Sequence, residues 1–150
     1  MSYKENSIVV SLAAYLMIVS YYLFKVFGML QDGGQVASQL FRLWAVVIIT
    51  GIVVTIAGNI LVNIVVSIVY AIRTGGKEYD RFIEDERDKL IDLKGSKVAY
   101  ITFSVGVLCA MLTFAFGQPP LVMFSLIIFF SITAEIAGSL AQLYLYRRGV

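Results

Sequence analysis

The sequence predicts an all-α membrane protein: a four-transmembrane-helix bundle built as two helical hairpins, with a cytosolic amphipathic helix between helices two and three. Three observations carry that prediction. Hydrophobic residues make up 59% of the 150 residues and charged residues only 15%, where soluble domains carry about 25% charge. The mean hydropathy is +0.85. The apolar residues fall into four runs, two on each side of a single charge-dense stretch, and each run approaches or exceeds the roughly 20 residues a helix needs to cross a hydrocarbon core.

The spans are read as residues 8–27, 43–72, 98–116 and 121–146, with a cytosolic loop and helix over residues 73–97, all in one membrane domain. The first run is longer than the roughly 7–15 apolar residues of a signal peptide, and no small-x-small cleavage site follows it before Lys25, so it reads as a retained helix. Ser11, Tyr15 and Tyr22 fall on one narrow face of it, and Tyr21, Tyr22 and Lys25 suit an interfacial belt. Residues 28–40, centred on Asp32-Gly33-Gly34, read as a turn-rich loop. Arg42 and Trp44 mark the next interface. A helix continuous from 44 to 72 is about 43 Å long, more than the bilayer requires, and has to tilt or project into water.

Residues 73–97 hold seven basic and seven acidic side chains. Gly75-Gly76 interrupts the chain there. From Tyr79 onward Phe82, Ile83, Leu90 and Ile91 recur at helical spacing, and Asp85 and Lys89 form a favourable i, i+4 pair. An amphipathic helix at the membrane surface, running into helix three near residues 94–97, is the expectation. Helix three places Thr102, Gly106, Cys109 and Thr113 on one stripe. Gly117-Gln118-Pro119-Pro120 is a tight turn. Helix four carries Ser131, Glu135, Ser139 and Gln142 on one face, beside Ala134, Gly138 and Ala141, and ends in Tyr144, Tyr146, Arg147 and Arg148.

Basic residues crowd the central stretch and the C-terminus, whereas the turn between helices three and four has none and the first loop only Lys25 and Arg42 at its edges. The bias of Lys and Arg toward cytoplasmic loops therefore places both termini and the central stretch in the cytoplasm. A net charge of +2 gives no reason to expect a nucleic-acid partner. The chain has no histidine and one cysteine, which removes the commonest general base and any intramolecular disulfide. No cofactor, metal or enzyme motif is expected.

Glu135 is the sharpest candidate for chemistry, as the only acidic residue inside any span. A charge at the bilayer centre costs about 2.5–3.5 kcal/mol on insertion scales, so such residues face a bundle interior or water, and removal from water favours the neutral carboxyl. One reading is a proton or cation site; the plainer one is a protonated carboxyl holding neighbouring helices together. Asn59 and Asn63 share a face with Thr55 and can hydrogen-bond Glu135 or another subunit, or act simply as interhelical glue. Ser139 and Gln142 belong to the same candidate polar site. Asp85, Asp88 and Asp92 lie at i, i+3 and i+7, but Arg81, Arg87 and Lys89 compete for them, which favours an ion-paired face over a cation site. Asp85, Glu86, Arg87, Asp88, Asp92 and Lys94 form a candidate cytosolic docking surface.

Asp85-Glu86-Arg87, followed by Ile91 and Lys94 and by a helix beginning Val98-Ala99-Tyr100, resembles an uncharacterised family of small prokaryotic four-helix integral membrane proteins; the ending Leu145-Tyr146-Arg147-Arg148-Gly149 is similar too. Gly95 departs from that pattern, which has alanine there. The resemblance implies a four-helix protein of the cytoplasmic (inner) membrane and no activity. The expected function is a non-enzymatic accessory or regulatory membrane protein that self-associates and engages a protein partner through its charged cytosolic segment. The alternative is a small homo-oligomeric proton-coupled transporter or ion channel using Glu135.

Overall fold

The computed structural model describes residues 3–32, 36–74 and 86–148. These form four helices: α1 (Tyr3–Asp32), α2 (Val36–Thr74), α3 (Glu86–Ala115) and α4 (Pro120–Arg148), with no strand among the described residues. All four are long and apolar enough to cross a membrane. The molecule is a helical membrane protein.

The helices overrun the apolar runs at both ends of the first connection. Of residues 28–40, expected as a loop, 28–32 and 36–40 are helical, α1 continuing to Asp32 and α2 beginning at Val36, while 33–35 lie outside the described residues. Met29, Leu30 and Gln31 on one side, and Ala37, Gln39 and Leu40 on the other, favour helix, and burial of Leu40 and Leu43 holds the start of α2 in place. With 39 residues, α2 is about 58 Å long, nearly twice a hydrocarbon core of about 30 Å. At the other end, residues 86–97 are the first turns of α3 without a break, so Gly95 does not interrupt the helix. Residues 79–85, including Asp85, lie outside the described residues.

The connection from α3 to α4 is settled by one glycine. Gly117 adopts φ +82°, a conformation that favours glycine over any residue with a side chain. Its N–H bonds the Phe114 carbonyl at 3.0 Å, and the Gln118 N–H bonds the Thr113 carbonyl at 3.1 Å. This pair of bonds closes the end of α3 as a Schellman cap. Pro120 then opens α4, where a missing N–H costs nothing.

In space the order is α2, α1, α4, α3. The neighbouring pairs are α1 with α2, α1 with α4 and α3 with α4, and no substantial packing joins α2 to α3 among the described residues. Neighbours run antiparallel, as Tyr15 meets Thr55, Tyr22 meets Ser125 and Tyr146 meets Asp88. Ile18, Tyr22, Leu40, Leu43, Trp44, Val47 and Ile132 form a cluster of buried apolar side chains. It joins α1, α2 and α4, with the Trp44 ring 4.8 Å from Phe41 and 5.7 Å from Phe124. In the second half of α2, Ile60, Leu61, Ile64, Val65, Ile68 and Ile72 are all exposed.

The α3–α4 seam is built differently, from small residues. Gly95, Gly106 and Ala110 of α3 and Ala134 and Gly138 of α4 are buried. A Cβ on Gly106 would collide with the Phe130 ring and its Cβ, and one on Gly95 with the Gln142 side chain. At Gly138 it would sit 3.0 Å from the Ala99 Cβ and 3.1 Å from the Gly95 carbonyl oxygen. Close backbone approach through small residues is a principal way for helices to associate in lipid, where burying apolar surface gains nothing. Of the expected stripe, Gly106 lies in this seam and Thr102 and Thr113 are half-buried, but Cys109 is exposed; it lies just off the seam, one residue from the buried Ala110.

Gly106→Ala is therefore expected to destabilise the protein by about 1–3 kcal/mol, because the Phe130 ring has to move. Gly58→Ala, where nothing lies within 4 Å of the new atom, is expected to be neutral or stabilising by up to about 1 kcal/mol. Thermal unfolding of both variants in one detergent checks the pair.

Candidate functional site

Hydroxyl groups in the spans meet their hydrogen-bonding needs in two ways. Several return their proton to a carbonyl of their own helix: Ser20 to Leu16, Thr113 to Ala110, Ser125 to Leu121 and Thr133 to Phe129, all at 2.7–2.8 Å. That is the expected behaviour where no water is at hand. The others are tyrosines that tie one helix to the next. Thr55 Oγ1 donates to the Gly51 carbonyl at 2.8 Å. Its proton is thereby committed, so the 3.1 Å contact with Tyr15 is donated by the Tyr15 hydroxyl and joins α1 to α2. Tyr22 donates to the Ser125 carbonyl at 2.8 Å and joins α1 to α4. Tyr146 donates to Asp88 Oδ1 at 2.8 Å and joins α4 to α3. Tyr15 and Tyr22 share the face the sequence suggested, but their role as ties was not visible from spacing, because each acceptor lies on another helix. The Trp44 indole N–H, buried beside Tyr22, meets no acceptor with hydrogen-bonding geometry.

One face of the molecule departs from this pattern. Ser131, Glu135, Ser139 and Gln142 lie on one side of α4 and line a groove of about 460 Å³ with Gly95, Ser96 and Tyr100 of α3. Among the described residues, none of the side chains of Ser96, Ser131, Glu135, Ser139 and Gln142 makes a hydrogen bond within the chain. A second hollow of about 430 Å³ lies between α1, α2 and α4, lined by Tyr15, Ile18, Ile52, Thr55 and Ile132. Ser131 and Glu135 border both hollows. The Glu135 side chain is exposed. It stands midway along α4, some 15 residues from Pro120, which is about 22 Å of helix.

Glu135 opens outward, because the close α3–α4 seam is made by Ala134 and Gly138 on the neighbouring flank of the helix. Ser139 and Gln142 do share its groove. Asn59 and Asn63 lie one and two turns beyond Thr55 on α2, and their side chains are outside the described residues. The Gln142 stem closes over Gly95, so a glycine at this position is a packing requirement of this groove.

At the end of the molecule where the charged stretch enters α3, Asp88 is half-buried against Tyr146, while Glu86, Arg87, Lys89 and Lys94 are exposed and Asp92 is half-buried. Arg148 lies over the Tyr144 ring at 5.5 Å. Among the described residues no three acidic or thiol groups come together as a metal site would need.

Tyr146→Phe removes the donor from a charge-assisted bond across the α3–α4 seam and is expected to cost about 1–2 kcal/mol. Asp88→Asn keeps an acceptor and is expected to cost less. Thermal unfolding of the two variants in detergent decides the order. Comparison of the chain with protein-family models, with curated proteins and with solved structures finds no match.

Proposed function

We propose that this is a self-associating integral membrane protein that takes up and releases a proton or cation at Glu135. One observation carries the reading: a carboxyl with no hydrogen-bond partner among the described residues stands exposed at mid-span, at the junction of two hollows. Acyl chains cannot solvate such a group, and ionisable residues in spans face a bundle interior, a water-filled cavity or one another. Ser139 and Gln142 continue the polar face from Glu135 toward the end of α4 that carries Arg147 and Arg148, and give a hydrated route of about 10 Å from Gln142 to the carboxyl. Copies packed around this face remove it from lipid and leave the route open to water. The charge bias of the loops supports a two-hairpin topology in the inner membrane, with both termini cytoplasmic.

A second role rests on the exposed charges at the start of α3. Glu86, Arg87, Lys89 and Lys94 stand on the first turns of that helix, at the same end as the chain termini, and suit engagement of a cytosolic protein as an accessory or regulatory subunit. Charge reversal at Glu86 and Arg87 is expected to abolish such engagement and to leave the Glu135 site untouched; co-purification of the two proteins reads this directly.

The first reading is tested with the purified protein in liposomes that hold a pH-sensitive dye, driven by a potassium–valinomycin potential. Proton flux is expected for the native chain and is expected to fall at least tenfold in Glu135→Gln. Equal flux in both proteins, or none in the native protein, overturns it.

A further inference from the structure

We infer that the cation Glu135 takes is an organic one with a compact apolar body, its charge against the carboxyl and its body in the hollow between α1, α2 and α4. This deepens the reading of Glu135 as an ion site and rests on it. The two hollows that meet at Glu135 are chemically unlike. On the α3 side the lining is largely polar and small, with Ser96, Ser131, Ser139 and Gln142. On the α2 side it is a wall of branched aliphatic side chains, Ile18, Ile48, Ile52, Ile128 and Ile132, with the Tyr15 ring. A site for a bare metal ion or a proton has no use for such a wall. Hard inorganic cations are bound by several oxygen ligands, and among the described residues the apolar hollow offers only Tyr15, Thr55, Ser131 and Glu135, of which Tyr15 and Thr55 already bond each other.

An apolar pocket beside one unpartnered carboxylate matches a lipophilic cation on both counts. The volume of about 430 Å³ falls within the roughly 300–1,000 Å³ usual for small-molecule sites. The Tyr15 face adds a cation–π surface. The hydroxyl of Tyr15 is fixed on Thr55, which holds that ring in place. Among the residues lining the two hollows, Tyr15 on α1 and Tyr100 on α3 are the only titratable groups besides Glu135, and no lysine or arginine lines either one. Binding places the cation's charge against the Glu135 carboxylate, and no covalent bond changes in the ligand.

The test titrates the full-length protein in detergent with tetraphenylphosphonium by calorimetry, and saturable binding is expected. Glu135→Gln is expected to weaken it at least tenfold, while Glu135→Asp, which keeps a carboxyl, restores most of it. Tetramethylammonium, with the same charge and little apolar body, is expected to bind at least roughly tenfold more weakly. No tetraphenylphosphonium binding, binding unchanged in Glu135→Gln, or tetramethylammonium binding as tightly each overturns the inference. Glu135-dependent proton flux in liposomes without tetraphenylphosphonium binding overturns this inference and leaves the ion-site reading standing, whereas the absence of both flux and binding overturns both.

Discussion

The close approach of α3 and α4 is the constraint from which the rest of the structure follows. In lipid no hydrophobic gain draws two apolar helices together, so association has to come from packing contact and hydrogen bonds. Gly95, Gly106 and Gly138, with Ala99, Ala110 and Ala134, let the two backbones meet along most of their length. That seam consumes one flank of α4 and fixes the rotation of the helix about its axis. The polar face with Glu135 is thereby turned outward, and the flank with Ile132 is left to meet α1 and α2.

The α1, α2 and α4 contact uses larger parts: Tyr22 and Trp44 at its centre, with Leu40, Leu43, Val47 and Ile132 around them. Bulky aromatic packing keeps these helices further apart than glycines would, and the hollow between them is the space that remains. The two hollows therefore differ in chemistry because the two seams differ in construction. Three tyrosine hydroxyls, on Tyr15, Tyr22 and Tyr146, each fasten one helix pair. Each places a phenol where its ring packs and its proton is used, which suits a medium that leaves few unpaired donors.

The exposed carboxyl puts the remaining demand on the surroundings. A polar face at mid-depth is stable only against other protein or water. The exposed aliphatic side chains of α2 from Ile60 to Ile72 make no such demand, because lipid solvates them as well as another helix would.

The sequence by itself determined that the chain carries four helices long and apolar enough to span a membrane, and where its polar residues concentrate along them. Hydropathy, helix length and the lone Glu135 are properties of single runs, and the four helices appear as those runs required. It did not determine the ends of α1 and α2, since Met29 and Ala37 favour helix whether or not lipid surrounds them. Nor did it determine which faces meet. In water an apolar stripe announces the buried side of a helix, but in lipid both sides are apolar and the stripe disappears. The serine and glutamate face of α4 was legible as a face, yet whether it pointed inward or outward depended on Gly95 and Gly106, residues distant in sequence and on another helix. Only the tertiary structure decided that, because the fit of one backbone against another is a property of the pair.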